Sequence, residues 1–199
     1  MTAAVTKKRS IERSDILDAA TYAAARKARR AEIIAMKKNR RVHVGPHLTL
    51  YFECYETMLY QVQEMLHAEG GGEEQLQDEL LAYNPLIPQG NELSATLMIE
   101  VNEPVQRARL LDSLGRIEEH VSLRFGGETV QATWENDVDR TTPDGKTSSV
   151  HFLHFHMTAE QAAAFAAPGT EVIVTVTHPN YTHMAGLRED MRAELTRDL

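Results

Sequence analysis

The strongest constraint on the fold is a change of hydrophobic period between residues 42 and 69. Apolar residues of one parity come first, as in a half-buried strand, with a break at Gly45-Pro46: Val42, Val44, Leu48, Leu50 and Phe52. From Tyr55 the apolar residues recur at helical spacing, until Gly70-Gly71-Gly72 ends the helix. A strand that leads directly into a helix predicts a mixed α and β protein.

The remaining segments extend this prediction. Helical spacing or capping signals indicate helices at residues 15–38, 73–83, 104–114, 158–167 and 184–198. Alternation indicates strands at residues 93–101, 121–125, 130–134, 149–156 and 172–177, and Pro143-Asp144-Gly145 is a turn that closes one hairpin. The fold class is therefore α+β: a mainly antiparallel sheet packed with an αα-hairpin, a long N-terminal helix and a C-terminal helix.

Charge divides the chain into a basic N-terminal helical arm, residues 1–40, and a single α+β domain, residues 41–199. Residues 1–45 hold 12 Lys and Arg against 4 Asp and Glu, whereas the remainder holds 9 against 25. Such an arm can dock on its own domain, on a second subunit or on a polyanion. Nucleic acid is disfavoured because the acidic domain repels phosphates, so a homo-oligomer or a protein partner is expected.

The N-terminal helix should begin at Ser14 or Asp15, because either side chain can cap free N–H groups, with residues 1–13 frayed before it. Its apolar stripe runs through Ile16, Leu17, Ala20, Ala23, Ala24, Ala28, Ile33, Ile34 and Met36. This alanine-rich face suits close packing against another element, either in the same chain or in a second subunit.

Several classes of protein are excluded. The chain has no run of 18 apolar residues, and its N-terminus lacks the apolar core of a secretory signal. A single cysteine, Cys54, fits a reducing compartment, so we expect a cytoplasmic protein. There is no G-x-G-x-x-G, P-loop, G-x-S-x-G or cysteine cluster, and we therefore expect neither a nucleotide nor an iron–sulfur cluster.

The string HFLHFH at residues 151–156 carries the first candidate site. On a strand His154 and His156 point to one face, an arrangement that can hold zinc or iron. His178 would join them if the last strand neighbours this hairpin. The predicted metal ligands are therefore His154, His156 and His178; the alternative is a strand with histidines at its polar ends.

A second candidate is the polar side of the helix after Tyr55. Glu56, Tyr60, Gln63, Glu64 and His67 lie within one arc, and Glu64 and His67 match an E-x-x-H pattern, although di-iron bundles need that motif twice. The alternative is an ordinary solvated helix face. Together with two residues from other segments, this face supplies the predicted cofactor-binding set of His47, Glu56, Tyr60 and Tyr181. No catalytic residue is assigned.

Six strings together resemble a bacterial family described only as a domain of unknown function: RRVHVGPHLTLYFE, ETMLYQVQEML, AYNPLIP, ATLMIE, VHFLHF and HPNY. The resemblance spans residues 12–185 and supplies no catalytic residues. It implies genes placed near rubrerythrin-like and iron–sulfur oxidoreductase proteins, and hence a role in redox or oxidative-stress metabolism. Two functions are expected: a metal-binding protein using zinc or non-haem iron, or a non-catalytic interaction or dimerisation module using the basic helix.

Overall fold

The computed structural model describes residues 7–134, 140–143 and 145–199. Its helices are α1 (Ala19–Lys37), α2 (Tyr55–Glu69), α3 (Glu73–Tyr83), α4 (Pro104–Ser113), α5 (Ala159–Ala166) and α6 (Glu189–Leu195). Its strands are β1 (Arg41–Val44), β2 (Leu48–Phe52), β3 (Glu92–Ile99), β4 (Val121–Phe125), β5 (Glu128–Gln131), β6 (Thr133–Trp134), β7 (Val150–His156), β8 (Val172–His178) and β9 (Tyr181–Gly186).

The strands form two antiparallel sheets, which confirms the α+β prediction. The first sheet has the order β1-β2-β3-β7-β6 and the second the order β5-β4-β8-β9. Apolar side chains from both sheets pack into one core, among them Leu50, Phe155, Leu123 and Val174. Alternation puts these residues on the inner faces, where their burial supplies the main stabilising free energy.

A second, smaller core attaches the αα-hairpin of α2 and α3 to the first sheet. Met58, Val62 and Leu76 are buried there, and Phe152 of β7 packs against them from the sheet. The bounds of both helices match the sequence prediction, because glycines separate the two helices and prolines follow the second. Within the described residues, no helix is both long and apolar enough to cross a membrane.

Two segments differ from the sequence prediction. Gly45-Pro46 does not interrupt one strand but reverses the chain, so that β1 and β2 pair as a hairpin with Val42 opposite Leu50. Residues 184–186, the predicted start of the C-terminal helix, belong instead to β9, and Met184 is 64% exposed. In both places the spacing of apolar residues fitted two structures, and pairing with a neighbouring strand decided between them.

The predicted hairpin of residues 130–156 is confirmed in part. Thr133 pairs with His154 and Trp134 with Leu153, as in a hairpin. Val130, however, belongs to β5 in the second sheet, so the predicted strand divides between the two sheets at Ala132. Asp144 of the predicted turn lies outside the described residues.

The segment before α1 is docked rather than frayed from Lys7 onward; residues 1–6 lie outside the described part. Arg9 donates to the carbonyl oxygens of Pro88 and Asp198, at 2.6 and 2.7 Å, and Ile11 is buried in the smaller core. Asp18 is the helix cap, since its carboxylate accepts from the N–H groups of Ala20 and Thr21. The predicted caps, Ser14 and Asp15, lie before the helix.

Helix α1 packs on α2 in the same chain through Ile33 of the predicted stripe, but not through its alanines. Tyr22 and Ile33 point inward and are buried. The alanines at positions 20, 24 and 28 face solvent, and Ile34 is 54% exposed. Tyr22 and the neighbouring Arg26 form hydrogen bonds with Glu64 of α2, and these bonds turn their side of α1 inward.

A buried ion pair joins the residue before β1 to the C-terminal residues. Arg40, only 1% exposed, donates to one oxygen of Asp198 from two nitrogens, at 2.8 and 2.7 Å. Lys7 contacts the other Asp198 oxygen, and Arg40 also donates to the Glu53 carbonyl oxygen at 3.3 Å. A charge in this position is tolerated only because every one of these partners is present.

We therefore expect Arg40→Met to lower the free energy of unfolding by about 3–5 kcal/mol, because it leaves the Asp198 carboxylate buried without its main partner. Arg13→Met is the matched control, since the Arg13–Glu73 pair is exposed on both sides and contributes at most about 1 kcal/mol. Urea unfolding of both variants measures the difference. Equal, small losses would contradict the role assigned to Arg40.

Candidate functional site

Strand pairing assembles a polar cluster on one face of the first sheet. In the register of β3 and β7, Glu92 lies opposite His156 and Ser94 opposite His154. Because side chains two residues apart on a strand share a face, all four side chains occupy the same patch of sheet. The predicted common face of His154 and His156 corresponds to this arrangement. Glu92 and Ser94 are additions that only the register reveals.

Glu92 binds both histidines through one carboxylate oxygen. Nδ1 of His154 lies 3.2 Å from this oxygen and Nδ1 of His156 lies 3.0 Å from it, while the two rings are parallel with centroids 5.8 Å apart. A carboxylate can only accept, so the hydrogen bond with His154 places the proton on its Nδ1 and leaves Nε2 as an acceptor, whereas His156 makes an ion-pair contact. Burial acts to raise the pKa of Glu92, but hydrogen bonding and charge from the histidines leave it lowered.

Ser94 is the unsatisfied member of the cluster. The residue is 1% exposed, and its hydroxyl has no hydrogen-bond partner among the described residues. Buried hydroxyls almost always have a partner, and each exception calls for an explanation. Its cross-strand neighbour is His154, so the unused hydroxyl lies beside the histidine pair.

The structure does not bring His178 to this cluster. The expected adjacency of its strand to the histidine hairpin is wrong, because β8 pairs with β4 and β9 in the other sheet. Nε2 of His178 lies 3.2 Å from the Gly115 carbonyl oxygen and Nδ1 accepts from the Asn180 N–H, also at 3.2 Å. Burial lowers the pKa of His178 and keeps the ring neutral. Both ring nitrogens of His178 therefore form hydrogen bonds that stabilise the turn before β9.

His47 and Tyr181 meet at the turn between β1 and β2. The Tyr181 hydroxyl accepts from the N–H groups of His47 and Leu48, at 3.0 and 3.2 Å, and donates to the Val44 carbonyl oxygen at 2.7 Å. Gly45 completes the contact, with φ +71° and no room for a Cβ against the Tyr181 hydroxyl. This arrangement fixes the turn and the approach of β9.

Glu56 and Tyr60 lie away from that turn. They are on α2, and the five residues of β2 separate its start from His47 by about 16 Å at roughly 3.3 Å per residue. The predicted set of His47, Glu56, Tyr60 and Tyr181 thus divides into two places. Glu56 and Tyr60 instead line a cavity between α1 and α2.

Glu64 of the E-x-x-H pattern forms hydrogen bonds with side chains of the N-terminal helix α1. Glu64 accepts from two nitrogens of Arg26, both at 2.8 Å, and from the Tyr22 hydroxyl at 2.6 Å. The Arg26 hydrogen bonds, followed by the Tyr22 bond, lower the pKa of Glu64 to about 2 despite partial burial. Glu64 is therefore not free to coordinate an ion, because it holds α1 against α2, whereas Glu56 and His67 at the two ends of this polar face are exposed.

The third histidine of the string, His151, forms a second histidine–glutamate pair inside the protein. Its Nε2 lies 3.0 Å from the Ser148 carbonyl oxygen and must donate to it, while Nδ1 faces Glu118 Oε2 at 3.2 Å. Neither His151 Nδ1 nor Glu118 Oε2 has a hydrogen-bond partner among the described residues, so this is an ion-pair contact rather than a directed hydrogen bond.

The Glu118 carboxylate makes stability depend on pH. Burial acts to raise the pKa of Glu118, but the contact with His151 leaves it lowered, and the ionised carboxylate stabilises the fold above its ordinary pKa of 4.5. That contribution disappears as the pH falls below 4.5 through the lowered value. Glu118→Gln removes it.

We expect wild-type protein to lose more unfolding free energy than Glu118→Gln between about pH 6 and about pH 3, measured by urea unfolding. Glu171→Gln, at an exposed position, should follow the wild-type curve. Parallel curves for the wild type and Glu118→Gln would show that the buried pair does not titrate in this way.

Comparisons with known proteins agree with the fold. The crystal structure of a novel protein of unknown function from Burkholderia pseudomallei K96243 superposes with a TM-score of 0.89 and 39% sequence identity, over 96% of this chain and 99% of that chain. A search of curated proteins found no match. The model of the family described as "Protein of unknown function (DUF3501)" matches residues 10–199. The chain therefore belongs to the DUF3501 family, which confirms the resemblance noted in its sequence.

Proposed function

We propose that the protein binds a transition-metal ion, zinc or non-haem iron, at Glu92, His154 and His156. The observation that carries the proposal is the approach of two imidazole nitrogens to one carboxylate oxygen, at 3.2 and 3.0 Å. Neighbouring ligand atoms of a four-coordinate zinc are about 3.3 Å apart when each bond is roughly 2.0–2.1 Å. Two of the three ligand-to-ligand distances therefore fit an ion that takes the place of the Nδ1 protons.

The third distance requires a movement. The parallel rings are 5.8 Å apart, and no group of three His, Cys, Asp or Glu in residues 7–134, 140–143 and 145–199 has ready-made metal geometry. His156 is the side chain that can move, because it is 57% exposed at the end of its strand. His154 and Glu92 are buried or nearly so and supply the fixed part of the site.

The chemistry of these ligands suits the proposed ion. Imidazole and carboxylate ligands bind zinc and iron, and two histidines with one carboxylate leave positions open for water or a substrate. When bound there, the ion would act as a Lewis acid or, as iron, as a redox centre. The link to redox or oxidative-stress metabolism rests on the family resemblance, and the single buried cysteine is consistent with a cytoplasmic protein.

Metal binding is tested on untagged protein by isothermal titration with Zn²⁺ and Fe²⁺. We expect one equivalent to bind, and Glu92→Gln to weaken binding by about 10–100-fold because it removes a ligand or its orienting charge. His67→Ala, at an exposed histidine on α2, is the control and should bind as the wild type does. Absence of binding, or an equal loss in both variants, would overturn the proposal.

A second candidate function is protein interaction through α1. The basic arm docks in cis through Tyr22 and Arg26, yet its outward face carries exposed Lys27, Arg30 and the 54% exposed Ile34. A positive face with an apolar centre suits an acidic surface, which a second copy of this acidic chain would offer. Homo-oligomerisation, or docking of an acidic redox protein, follows from this reading.

Sedimentation equilibrium over a wide concentration range tests this second function. We expect a dimer that Ile34→Asp converts to monomer, because the change buries a charge in the interface. Val105→Asp is the matched control, since Val105 is similarly exposed at 56% but lies on α4. A monomeric wild type, or equal effects of the two changes, would contradict self-association through α1.

A further inference from the structure

A cavity of about 210 Å³ lies between α1 and α2, apart from the histidine cluster. Its apolar walls come from Ile33 and Met36 on α1 and Leu59 on α2. At roughly 30 Å³ per water molecule, this volume accommodates a ligand of about seven non-hydrogen atoms. A partly apolar cavity with a few convergent polar groups is the usual form of a small-molecule site.

Carboxylates at the cavity define the charge of such a ligand. Glu32 of α1 and Glu56 of α2 both line it, and no described Lys, Arg or His nitrogen comes within ion-pair distance of either. Neighbouring acids differ: Glu64 is held by Arg26, and Asp15 by Lys8. Two carboxylates are thus left without an ion-pair partner at the mouth of an apolar cavity.

The charge state of the cavity follows from these groups. Burial acts to raise the pKa of Glu56, but hydrogen bonds and the charges of Lys7 and Arg40 leave it lowered, so the carboxylate is ionised at neutral pH. Arg29 also lines the cavity, but it is exposed, and its long side chain can carry its charge into solvent. The local balance therefore favours a cation.

Two aromatic rings supply a second and independent reason. Tyr55 and Tyr60 both line the cavity, and the faces of such rings attract ammonium groups. The ammonium of Lys8 already lies 5.9 Å from the centre of the Tyr55 ring. Lys8 thus already uses one face of the Tyr55 ring, and the Tyr60 ring, over which no cation lies among the described residues, is the one available to a ligand.

We propose that this cavity binds a small organic cation, namely a primary amine with an aliphatic body of about six carbons. Its ammonium group lies between Glu56 and Glu32 beside the tyrosine rings. Its hydrocarbon chain lies against Ile33, Met36 and Leu59. A neutral molecule of the same shape cannot form the ion pair with the carboxylates. An anionic molecule of the same shape is repelled by both of them.

Isothermal titration of the full-length protein with hexylammonium, hexan-1-ol and hexanoate, in the absence of metal, tests this assignment. We expect hexylammonium to bind at least about tenfold more tightly than hexan-1-ol, and hexanoate not to bind, since only the first can pair with a carboxylate. Equal binding of the three, or no binding of hexylammonium at millimolar concentration, would overturn the proposal.

Variants locate the site. Glu56→Gln should weaken hexylammonium binding about tenfold, because it removes one charge from the cavity, whereas Glu74→Gln on the exposed face of α3 should leave it unchanged. Glu32→Gln makes the same test from α1, and it decides the matter if Glu56→Gln does not fold. Binding that survives both changes, or is weakened equally by the control, would place the amine elsewhere.

Discussion

The buried charge of Arg40 is stable only when residues from distant parts of the chain surround it. This residue lies between α1 and β1, and its partners come from distant parts of the sequence: the carboxylates of Asp198 and Glu194 and the carbonyl of Glu53. Withdrawing a guanidinium from water costs several kcal/mol unless all its partners are in place. The N-terminal segment, the start of α2 and the C-terminal residues therefore fold as one unit, which agrees with a family match that spans residues 10–199. From Lys7 onward the basic arm packs against the α+β domain.

The sequence predicts correctly the helices whose first and last residues are determined by capping residues or glycines close by in the chain. The glycines after α2 and the capping box of Thr158 and Gln161 at α5 act over one helical turn, and both were readable from the sequence. The errors occurred where spacing was ambiguous. Val44 and Leu48 keep the same parity across the Gly45 turn, so a hairpin resembled a broken strand. Residues 184–195 fit a helical stripe, but pairing with β8 makes their first part a strand.

The candidate site was predictable to the same extent. Two histidines two residues apart on a strand must share a face, and the stacked rings of His154 and His156 follow from that rule. Glu92 could not be found in this way, because it is 62 residues distant and reaches the histidines only through the register of β3 and β7. The side of α1 that faces inward differs from the predicted one for a related reason. Its alanine stripe is the more hydrophobic side, yet Glu64 holds Tyr22 and Arg26 and so determines which side faces inward.

The contact between Lys7 and Asp198 has a topological consequence. It brings the first described residues of the chain against the last, so the described polypeptide is nearly a closed loop. A short linker could therefore join Leu199 to Lys7, and the chain could be opened instead at the exposed glycines between α2 and α3. Circular permutation at that point would keep every strand pairing. It would change only the order in which the strands follow one another along the chain.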